Sequence, residues 1–283
     1  MITYKQCTEV HIDAIYEAFQ QGFSDYIIDI AMPKEAFVKR FFGPEGNHLK
    51  YSYIALDGQQ PIGLILGGIK EYEGVKTLRC GTLCIHPGYR GQGVSQNLFE
   101  RHKKTGIANR CKQLFLEVII GNDRAIGFYK GLGYDKIYEL SYYYHEAPLA
   151  IDKKGQLGYE IELIRMDEVK ALQNRLQDIH INWQNDFDYI EKLENKVNHG
   201  IFKESVLIGA ISMLPSGKIH FIWVDPRFRH QGIGRNLIGY GVKELKPEKL
   251  HISFPNNSNL QGFVKHTGFI KDSISQQEMY LVL

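Results

Sequence analysis

The sequence HPGYRGQGVS at residues 86–95 returns as DPRFRHQGIG at residues 225–234. A second pair of blocks follows in the same order, with NDRAIGFYKGLGY at residues 122–134 and NSNLQGFVKHTGF at residues 257–269. Two matched blocks, in one order and at similar spacing, are typical of an internal repeat. The sequence therefore predicts a tandem duplication whose two copies have diverged.

The length of the chain agrees with a duplication. Because 283 residues exceed what one compact core usually holds, we expect two domains of about 140 residues each. The first predicted domain covers residues 1–146 and the second covers residues 159–283. Residues 147–158 between them are polar and rich in turn formers, which predicts a linker.

The composition excludes several classes of function. A formal net charge of +2, from 34 basic and 32 acidic residues, gives no global basic field, so no nucleic-acid partner is predicted. The longest apolar or glycine run, Ile62–Ile69, is far shorter than the roughly 18 residues that a membrane-spanning helix needs. Met1–Lys5 leads into a polar segment without an apolar signal region, so we expect a cytoplasmic protein with no membrane partner.

The cysteines do not predict a metal site. Cys80, Cys84 and His86 are close in sequence, but they belong to an apolar strand that ends in a His-Pro turn, and no fourth ligand is paired with them. Structural zinc sites use four ligands in a tetrahedron, so we expect no metal. The four cysteines form no CxxC pair, which is typical of a reducing compartment.

Hydrophobic periodicity predicts strands and helices in the same order in each half. A strand over Val75–Ile85 leads into the first block, Gly91 begins a helix, and Leu114–Val118 alternate as a strand does. Tyr134–Ile137 and Leu140–His145 then predict a terminal hairpin. Both halves therefore predict a mixed α and β fold.

The first block lies where a strand turns into a helix, and it suits a phosphate group. Helix starts leave backbone N–H groups unpaired and carry positive partial charge. Gly91 and Gly93 have no Cβ, so a ligand can approach the backbone closely, and Arg90 adds a cation. No Lys-Ser/Thr follows, so this is not a Walker loop, and no βαβ unit precedes it, so it is not a Rossmann fingerprint.

Together, the two blocks carry a more specific signal than either alone. Arg-x-x-Gly-x-(Gly/Ala), followed by Asn-x6-Tyr-x3-Gly-(Phe/Tyr), resembles the pattern of the GNAT superfamily of acetyl-CoA-dependent N-acyltransferases. The resemblance covers nearly the whole chain and implies an α+β fold of two tandem domains, each a central, mostly antiparallel twisted sheet flanked by helices. The matching residues are Arg90, Gly93, Asn122, Tyr129, Gly133 and Tyr134 in the first copy and Arg229, Gly232, Gly234, Asn257, Gly268 and Phe269 in the second.

The resemblance implies acetyl-CoA as the cosubstrate and assigns residues to it. The diphosphate would lie on the backbone of the first turn, namely Arg90, Gly91, Gln92, Gly93, Val94 and Ser95. Ser95 replaces the usual Gly or Ala and is small enough to be tolerated. The pantetheine arm would pair with the strand end at Leu83, Cys84 and Ile85 and contact Asn122. In the second copy, Arg229, Gly232 and Gly234 keep the cofactor turn.

The resemblance also implies an acid and a base in the first copy. Tyr129 would protonate the departing thiolate, because a phenol with a pKa near 10 suits a thiolate near 8.5. Glu117 would assist deprotonation of the amine, since it lies in a Leu-x-Glu-Val strand like that of the ribosomal-protein alanine N-acetyltransferases. The alternatives are a core aromatic for Tyr129 and a solvent-exposed carboxylate at a strand end for Glu117.

The second copy lacks both groups. Val264 stands in the place of Tyr129, and Ile252 or Ser253 stands in the place of Glu117. We therefore expect catalysis in the first domain. Three roles remain open for the second domain: structural support, shaping of the acceptor site, and cofactor binding without turnover.

The resemblance implies an acceptor site beside the segment between the first two helices. Asp25, Tyr26 and Asp29 lie there and suit a cationic amine, the alternative being a simple helix-linking loop. The resemblance thus implies direct transfer of acetyl to a primary amine of a small molecule or peptide, in a ternary complex, by a monomer or homodimer. Two other functions stay open: a non-catalytic acyl-CoA-binding or regulatory protein, and transfer of a longer acyl group or to a hydroxyl.

Overall fold

The chain folds into alternating strands and helices. A computed structural model describes residues 1–151, 159–176 and 179–283, so residues 152–158 of the predicted linker lie outside the described residues. In these three ranges there are twelve strands and eight α-helices, and none of those helices is both long and apolar enough to cross a membrane. The mixed α and β content confirms the predicted fold class.

The contacts divide the chain into two compact units, which differ from a simple cut at the linker. The first unit comprises residues 1–138 together with residues 276–283, and the second comprises residues 139–275. Each unit therefore includes a piece of chain that the sequence places in the other half.

The first unit is a six-stranded sheet covered by helices on both faces. In spatial order its strands are β1 (Ile2–Gln6), β2 (Tyr53–Asp57), β3 (Gln60–Tyr72), β4 (Val75–Ile85), β5 (Gln113–Ile119) and the end of β12 (Ile270–Val282). Its helices are α1 (Ile12–Gly22), α2 (Lys34–Phe41), α3 (Val94–Ala108) and α4 (Asp123–Gly131). Neighbouring strands are antiparallel except β4 and β5, which are parallel.

Two hydrophobic clusters hold this sheet between its helices. On one face, α1 and α2 bury Phe19 and Phe37 against Leu64 of β3. On the other face, α3 packs Leu98 and Phe99 into a cluster that α4 also joins. Helix α3 begins at Val94 and not at the predicted Gly91, because Gly91 and Gly93 have positive φ values in the turn before it.

The second unit repeats this plan. In spatial order its strands are the end of β6 (Asp135–His145), β11 (Leu250–Pro255), β10 (Lys218–Val224), β9 (Val206–Met213), β8 (Val197–Lys203) and β7 (Ile161–Leu163). Its helices are α5 (Met166–Ala171), α6 (Phe187–Glu191), α7 (Ile233–Leu245) and α8 (Ser258–His266). Again one pair, β10 and β11, is parallel and the other pairs are antiparallel.

The hairpin predicted at 134–145 is wrong, because β6 is one continuous strand. Its residues 140–145 pair with β11 of the second unit, and residues 276–282 of the last strand pair with β5 of the first. A hairpin and a long strand have the same alternation of side chains, so the pattern alone does not separate them. The two halves of the sequence therefore exchange their last strands.

The exchange makes the C-terminal strand a structural part of the first unit. Met279 is fully buried in the cluster under α3, whereas Val282 on the same strand is 81% exposed. We expect Met279→Ala to lower the free energy of unfolding by about 2–5 kcal/mol and to speed amide hydrogen exchange in Gln113–Ile119. Val282→Ala, the matched control, should change stability by less than about 0.5 kcal/mol. Equal effects of the two substitutions in denaturant titration and hydrogen exchange would contradict this assignment.

Candidate functional site

A glycine turn joins the parallel strand to the next helix in both units. Gly93 precedes α3 with a φ of 76°, and Gly232 precedes α7 with a φ of 86°. Such positive φ values favour glycine. Neither helix start has a side-chain cap within the described residues, so its first N–H groups remain available to a ligand. The same glycine turn therefore occurs at a helix start in both units.

The arginine of each turn is anchored in the same way. Arg90 Nε donates to Ile85 O at 3.1 Å, and Arg229 Nε donates to Val224 O at 3.2 Å. The remaining nitrogen atoms of the two guanidinium groups have different neighbours. Arg90 donates to both carboxylate oxygens of Asp25, at 2.5 and 2.6 Å, while no carboxylate among the described residues forms an ion pair with Arg229.

Next to each turn, the two parallel strands separate. The β4–β5 ladder ends at Cys80 and Leu116, and the β10–β11 ladder ends at Ile219 and Ile252. One inserted residue marks each separation, because the register of β4 on β3 skips Gly81 and that of β10 on β9 skips His220. An inserted residue of this kind is a β-bulge, which bends its strand.

Separation of the strands leaves one edge of β4 without a strand partner. Cys84 pairs with Leu64 on β3, and His86 N donates to Ile62 O at 2.9 Å. Since antiparallel strands alternate their hydrogen-bonding sides, Leu83 and Ile85 direct their N–H and C=O groups away from β3. The sequence-predicted segment Leu83–Ile85 therefore offers backbone groups on the open edge.

Asn122 and Tyr129 occupy α4, close to this edge. Asn122 is the N-cap of α4, because its Oδ1 accepts from Ala125 N at 3.2 Å, and its side chain also hydrogen-bonds the Tyr26 hydroxyl. The Tyr129 hydroxyl lies against the thiol of Cys80, the last β4 residue in the parallel ladder. Burial raises the pKa of Tyr129 well above its ordinary value, so the phenol keeps its proton.

Glu117 lies in a buried ion-pair cluster and not in solvent, so the alternative of an exposed strand-end carboxylate is wrong. Arg79 Nη2 donates to Glu117 Oε2 at 2.6 Å, and Arg79 Nη1 donates to Glu45 Oε2 at 2.6 Å. The three side chains are at most 5% exposed. Burial raises the pKa of Glu117 to about 7, although Arg79 opposes this shift.

The ladders decide which residue of the second unit corresponds to Glu117. Because Cys80 lies opposite Leu116 and Ile219 lies opposite Ile252, Ser253 matches Glu117 and Lys218 matches Arg79. Lys218 Nζ donates to Ser253 Oγ at 2.7 Å. The second unit therefore keeps a cation at this position, the half-buried Lys218, and replaces the carboxylate with a hydroxyl.

His220 is a site residue that sequence reasoning missed. In the first unit the inserted position is Gly81, where a Cβ would lie 2.2 Å from Asn47 Oδ1, so no side chain fits. In the second unit it carries an imidazole, and His220 Nδ1 lies 3.1 Å from Gln184 O and 3.0 Å from Asn185 Oδ1. No sequence period marks an inserted residue, so the pattern gives no signal for it.

In the second unit, the gap between the separated strands β10 and β11, called the slot below, opens into a cavity of about 820 Å³. It is bounded by His220 and neighbouring residues of β10, by the turn at Arg229 and by the start of α8. Its charged or titratable lining residues, within the described ranges, are Arg229, Arg235, His180, His220, His230 and His266. A lining without carboxylates among those residues favours an anionic ligand.

The predicted acceptor residues lie on the loop after α1 and are not gathered into one pocket wall. Asp25 is held by Arg90 as described, and Tyr26 packs edge-on against Phe23. Asp29 is exposed, and its Oδ1 accepts from Ala31 N at 2.9 Å. The loop therefore contacts Arg90 of the glycine turn through Asp25, while Asp29 supports local loop structure.

Each unit has a sheet of the same plan, in which the two parallel strands separate beside a glycine turn at a helix start. The family model of the acetyltransferase (GNAT) family matches residues 12–134 and 162–269. The chain belongs to this family, and the enzyme class is that of the N-acetyltransferases.

Individual relatives agree with this assignment. The chain is similar to N-alpha-acetyltransferase 30 of Saccharomyces cerevisiae, with 28% identity over 123 residues, or 41% of this chain and 68% of the relative. It is also similar to N-alpha-acetyltransferase 30 of Schizosaccharomyces pombe, with 29% identity over 118 residues, which cover 41% of this chain and 77% of the relative. Among solved structures, the chain is similar to a tandem GNAT protein from the clavulanic acid biosynthesis pathway, with a TM-score of 0.72 and 15% sequence identity. The superposition covers 100% of this chain and 98% of that protein's chain. That likeness supports the fold alone.

The exchange of Arg79–Glu117 for Lys218–Ser253 can be tested through stability. We expect Arg79→Met to cost about 3–5 kcal/mol at pH 8, because it removes the cation beside the buried Glu117, whereas Glu45 keeps its ion pair with Arg40 at 3.4 Å. The pKa of Glu117 should then exceed its unfolded value by more than before, so protonation favours the folded state and the deficit shrinks as the pH falls to 5.

Lys218→Met is the matched control in the second unit. It leaves no carboxylate behind, so stability should change by less than about 1 kcal/mol, without recovery at low pH. Denaturant titration at both pH values checks the pair. An Arg79→Met deficit that is as large at pH 5 as at pH 8 would contradict the electrostatic explanation.

Proposed function

We propose that this protein is an acetyl-CoA-dependent N-acetyltransferase that passes acetyl directly to a primary amine of a small molecule or peptide in a ternary complex. The observation that carries the proposal is the doubled site, in which separated strands lead to a glycine turn at a helix start. An extended thioester donor needs an open strand edge for its arm and free N–H groups for its diphosphate. Both features occur in each unit.

Coenzyme A is proposed to bind each turn in the same orientation. Its diphosphate would accept from backbone N–H groups of residues 90–95 in the first unit and near Arg229, Gly232 and Gly234 in the second. Its arm would continue along the open strand edge, at Leu83–Ile85 in the first unit. The basic lining of the second cavity supports the same ligand, because coenzyme A is strongly anionic.

In the first unit, acyl transfer is proposed to use Glu117 and Tyr129. The Glu117 carboxylate takes a proton from the ammonium group, and the neutral amine attacks the thioester carbonyl. The C–N bond forms, the C–S bond breaks with its electron pair leaving on sulfur, and the Tyr129 hydroxyl donates a proton to the departing thiolate. The proton that the new amide nitrogen loses then restores the Tyr129 phenol, and Glu117 releases its proton to solvent. A pKa of about 7 suits a general base at neutral pH. The raised pKa of Tyr129 keeps its hydroxyl protonated but makes it a weaker acid than a free tyrosine.

The acceptor is proposed to enter beside the loop that carries Asp25, Tyr26 and Asp29. The diphosphate of the donor competes with Asp25 for Arg90, since both are anions. Donor binding would therefore release Asp25, which then becomes available to a cationic amine. N-alpha-acetyltransferase relatives support a peptide amine as one acceptor class.

The proposed location of the enzyme is the cytoplasm. All four cysteines, Cys7, Cys80, Cys84 and Cys111, are buried free thiols. Free thiols are typical of a reducing compartment.

Tyr129→Phe tests the acid. We expect turnover in the first unit to fall by about 100-fold, because the thiolate loses its proton donor, with little change in coenzyme A affinity. Tyr134→Phe is the matched control, since the Tyr134 hydroxyl is equally buried but has no hydrogen-bond partner among the described residues. Thiol release with a panel of amines and calorimetry with coenzyme A measure the two effects. Tight binding without turnover on any amine would favour a non-catalytic acyl-CoA-binding protein.

The pH dependence tests the base. Because the Glu117 carboxyl must lose its proton to act, kcat/KM of the first unit should rise with pH through about 7. Glu117→Gln should remove this limb and lower the plateau by about 100-fold. An unchanged profile in the Glu117→Gln protein would assign the limb to another group.

A further inference from the structure

The second unit places an imidazole at the inner end of its slot. From the turn at Arg229, the open edge of β10 runs back from Val224 to Phe221 and ends at His220. Four residues of strand span roughly 13 Å. An extended arm whose diphosphate lies on the turn would therefore bring its thioester end near this ring, which lines the cavity.

The neighbours of His220 fix which of its nitrogens carries the proton. Gln184 O is a carbonyl oxygen and only accepts, so the contact at 3.1 Å requires a proton on His220 Nδ1. In the neutral ring, Nε2 is then the nitrogen with a lone pair. Asn185 Oδ1 is also an acceptor, and it lies 3.0 Å from His220 Nδ1. The segment 184–185 thus orients the imidazole and leaves Nε2 for a ligand.

The charges around the ring keep it neutral. Lys218 lies two residues earlier on β10 and is the charged group that acts on the ring, and Tyr189 of α6 packs at 5.8 Å between ring centroids. Burial, together with Lys218, lowers the pKa of His220 to about 4. A neutral imidazole accepts a proton, and its conjugate acid, once formed, gives that proton up readily.

We propose that the second unit is a second catalytic centre, in which His220 Nε2 accepts a proton from the amine and returns it to the thiolate. This inference rests on the proposed function, because it requires acetyl-CoA on the second turn. The neutral amine attacks the thioester carbonyl, the C–N bond forms, and the nitrogen passes one proton to Nε2. The C–S bond breaks, its electron pair leaves with the sulfur, and the imidazolium protonates the thiolate. Amine and acetyl-CoA become amide and coenzyme A with no net proton change.

The chemistry of the second site also selects its acceptor. In the first unit, Glu117 favours a cationic amine near the donor. In the second unit, Ser253 takes that position, and Nζ of the half-buried Lys218 lies 2.7 Å from Ser253 Oγ. The acceptor class that fits is an amine bearing a carboxylate or another anionic group, because Lys218 disfavours an ammonium and attracts an anion.

Kinetics in the full-length chain test this centre. In Tyr129→Phe protein, where the first unit is impaired, we expect residual turnover that favours amino acids over polyamines. Adding His220→Asn should lower this turnover by about 100-fold and leave coenzyme A affinity at the second turn within twofold. Asparagine keeps a hydrogen-bond donor near the Nδ1 position but has no base at the Nε2 position. If His220 had only a structural role, turnover would therefore not change in the His220→Asn protein. His251→Asn, on β11 and outside the cavity lining, is the matched control.

A spectroscopic measurement tests the ring without any acceptor. Long-range 15N–1H correlation spectra should show His220 as the neutral Nδ1–H tautomer from pH 5 to pH 8. A doubly protonated ring at pH 6, or the Nε2–H tautomer, would overturn the proposal.

The kinetic outcomes separate the two proposals. Turnover of the Tyr129→Phe protein that is indifferent to His220→Asn would overturn the second centre and leave the proposed function intact. Failure of the unchanged protein to consume acetyl-CoA with any amine of the panel would overturn both.

Discussion

The structure depends on one inserted residue in the strand before each glycine turn. Gly81 in β4 and His220 in β10 occur exactly one residue beyond the point where the parallel ladder ends. The bulge bends the strand away from its parallel neighbour, so one edge of backbone groups is released without unfolding the sheet. The turn, the open edge and the buried pair Arg79–Glu117 all take their positions from this separation.

Local features of the site were predictable from sequence, and those that depend on packing were not. The glycine turn is fixed by backbone conformation, and the helix that begins at Val94 is fixed by its apolar spacing, so both follow from short segments. The partner of Glu117 is Arg79, which is far away in sequence and has no local signature. The exchange of the last strands was missed for the same reason, since a strand pattern does not say which edge it joins.

The two units share one frame and differ in their charges. Arg90 and Arg229 have the same backbone anchor, but only Arg90 faces an aspartate. The pair Arg79–Glu117 corresponds to Lys218–Ser253, so one carboxylate is lost where the cation is kept. Divergence after duplication thus changed the electrostatics beside the separated strands while the backbone was retained. Val264 and Ser253 replace Tyr129 and Glu117 in the second copy, but these two replacements do not by themselves remove acid–base chemistry.

The exchange of strands also governs how the chain acquires its structure during synthesis. The edge of β5 is completed by residues 276–282, which are synthesised long after residues 1–138 of the same unit. Until those residues emerge from the ribosome, the first unit therefore presents an unpaired, largely apolar strand edge, which is the kind of surface that promotes wrong pairing between nascent chains. A gene split at the linker would make the same defect permanent in the upstream product.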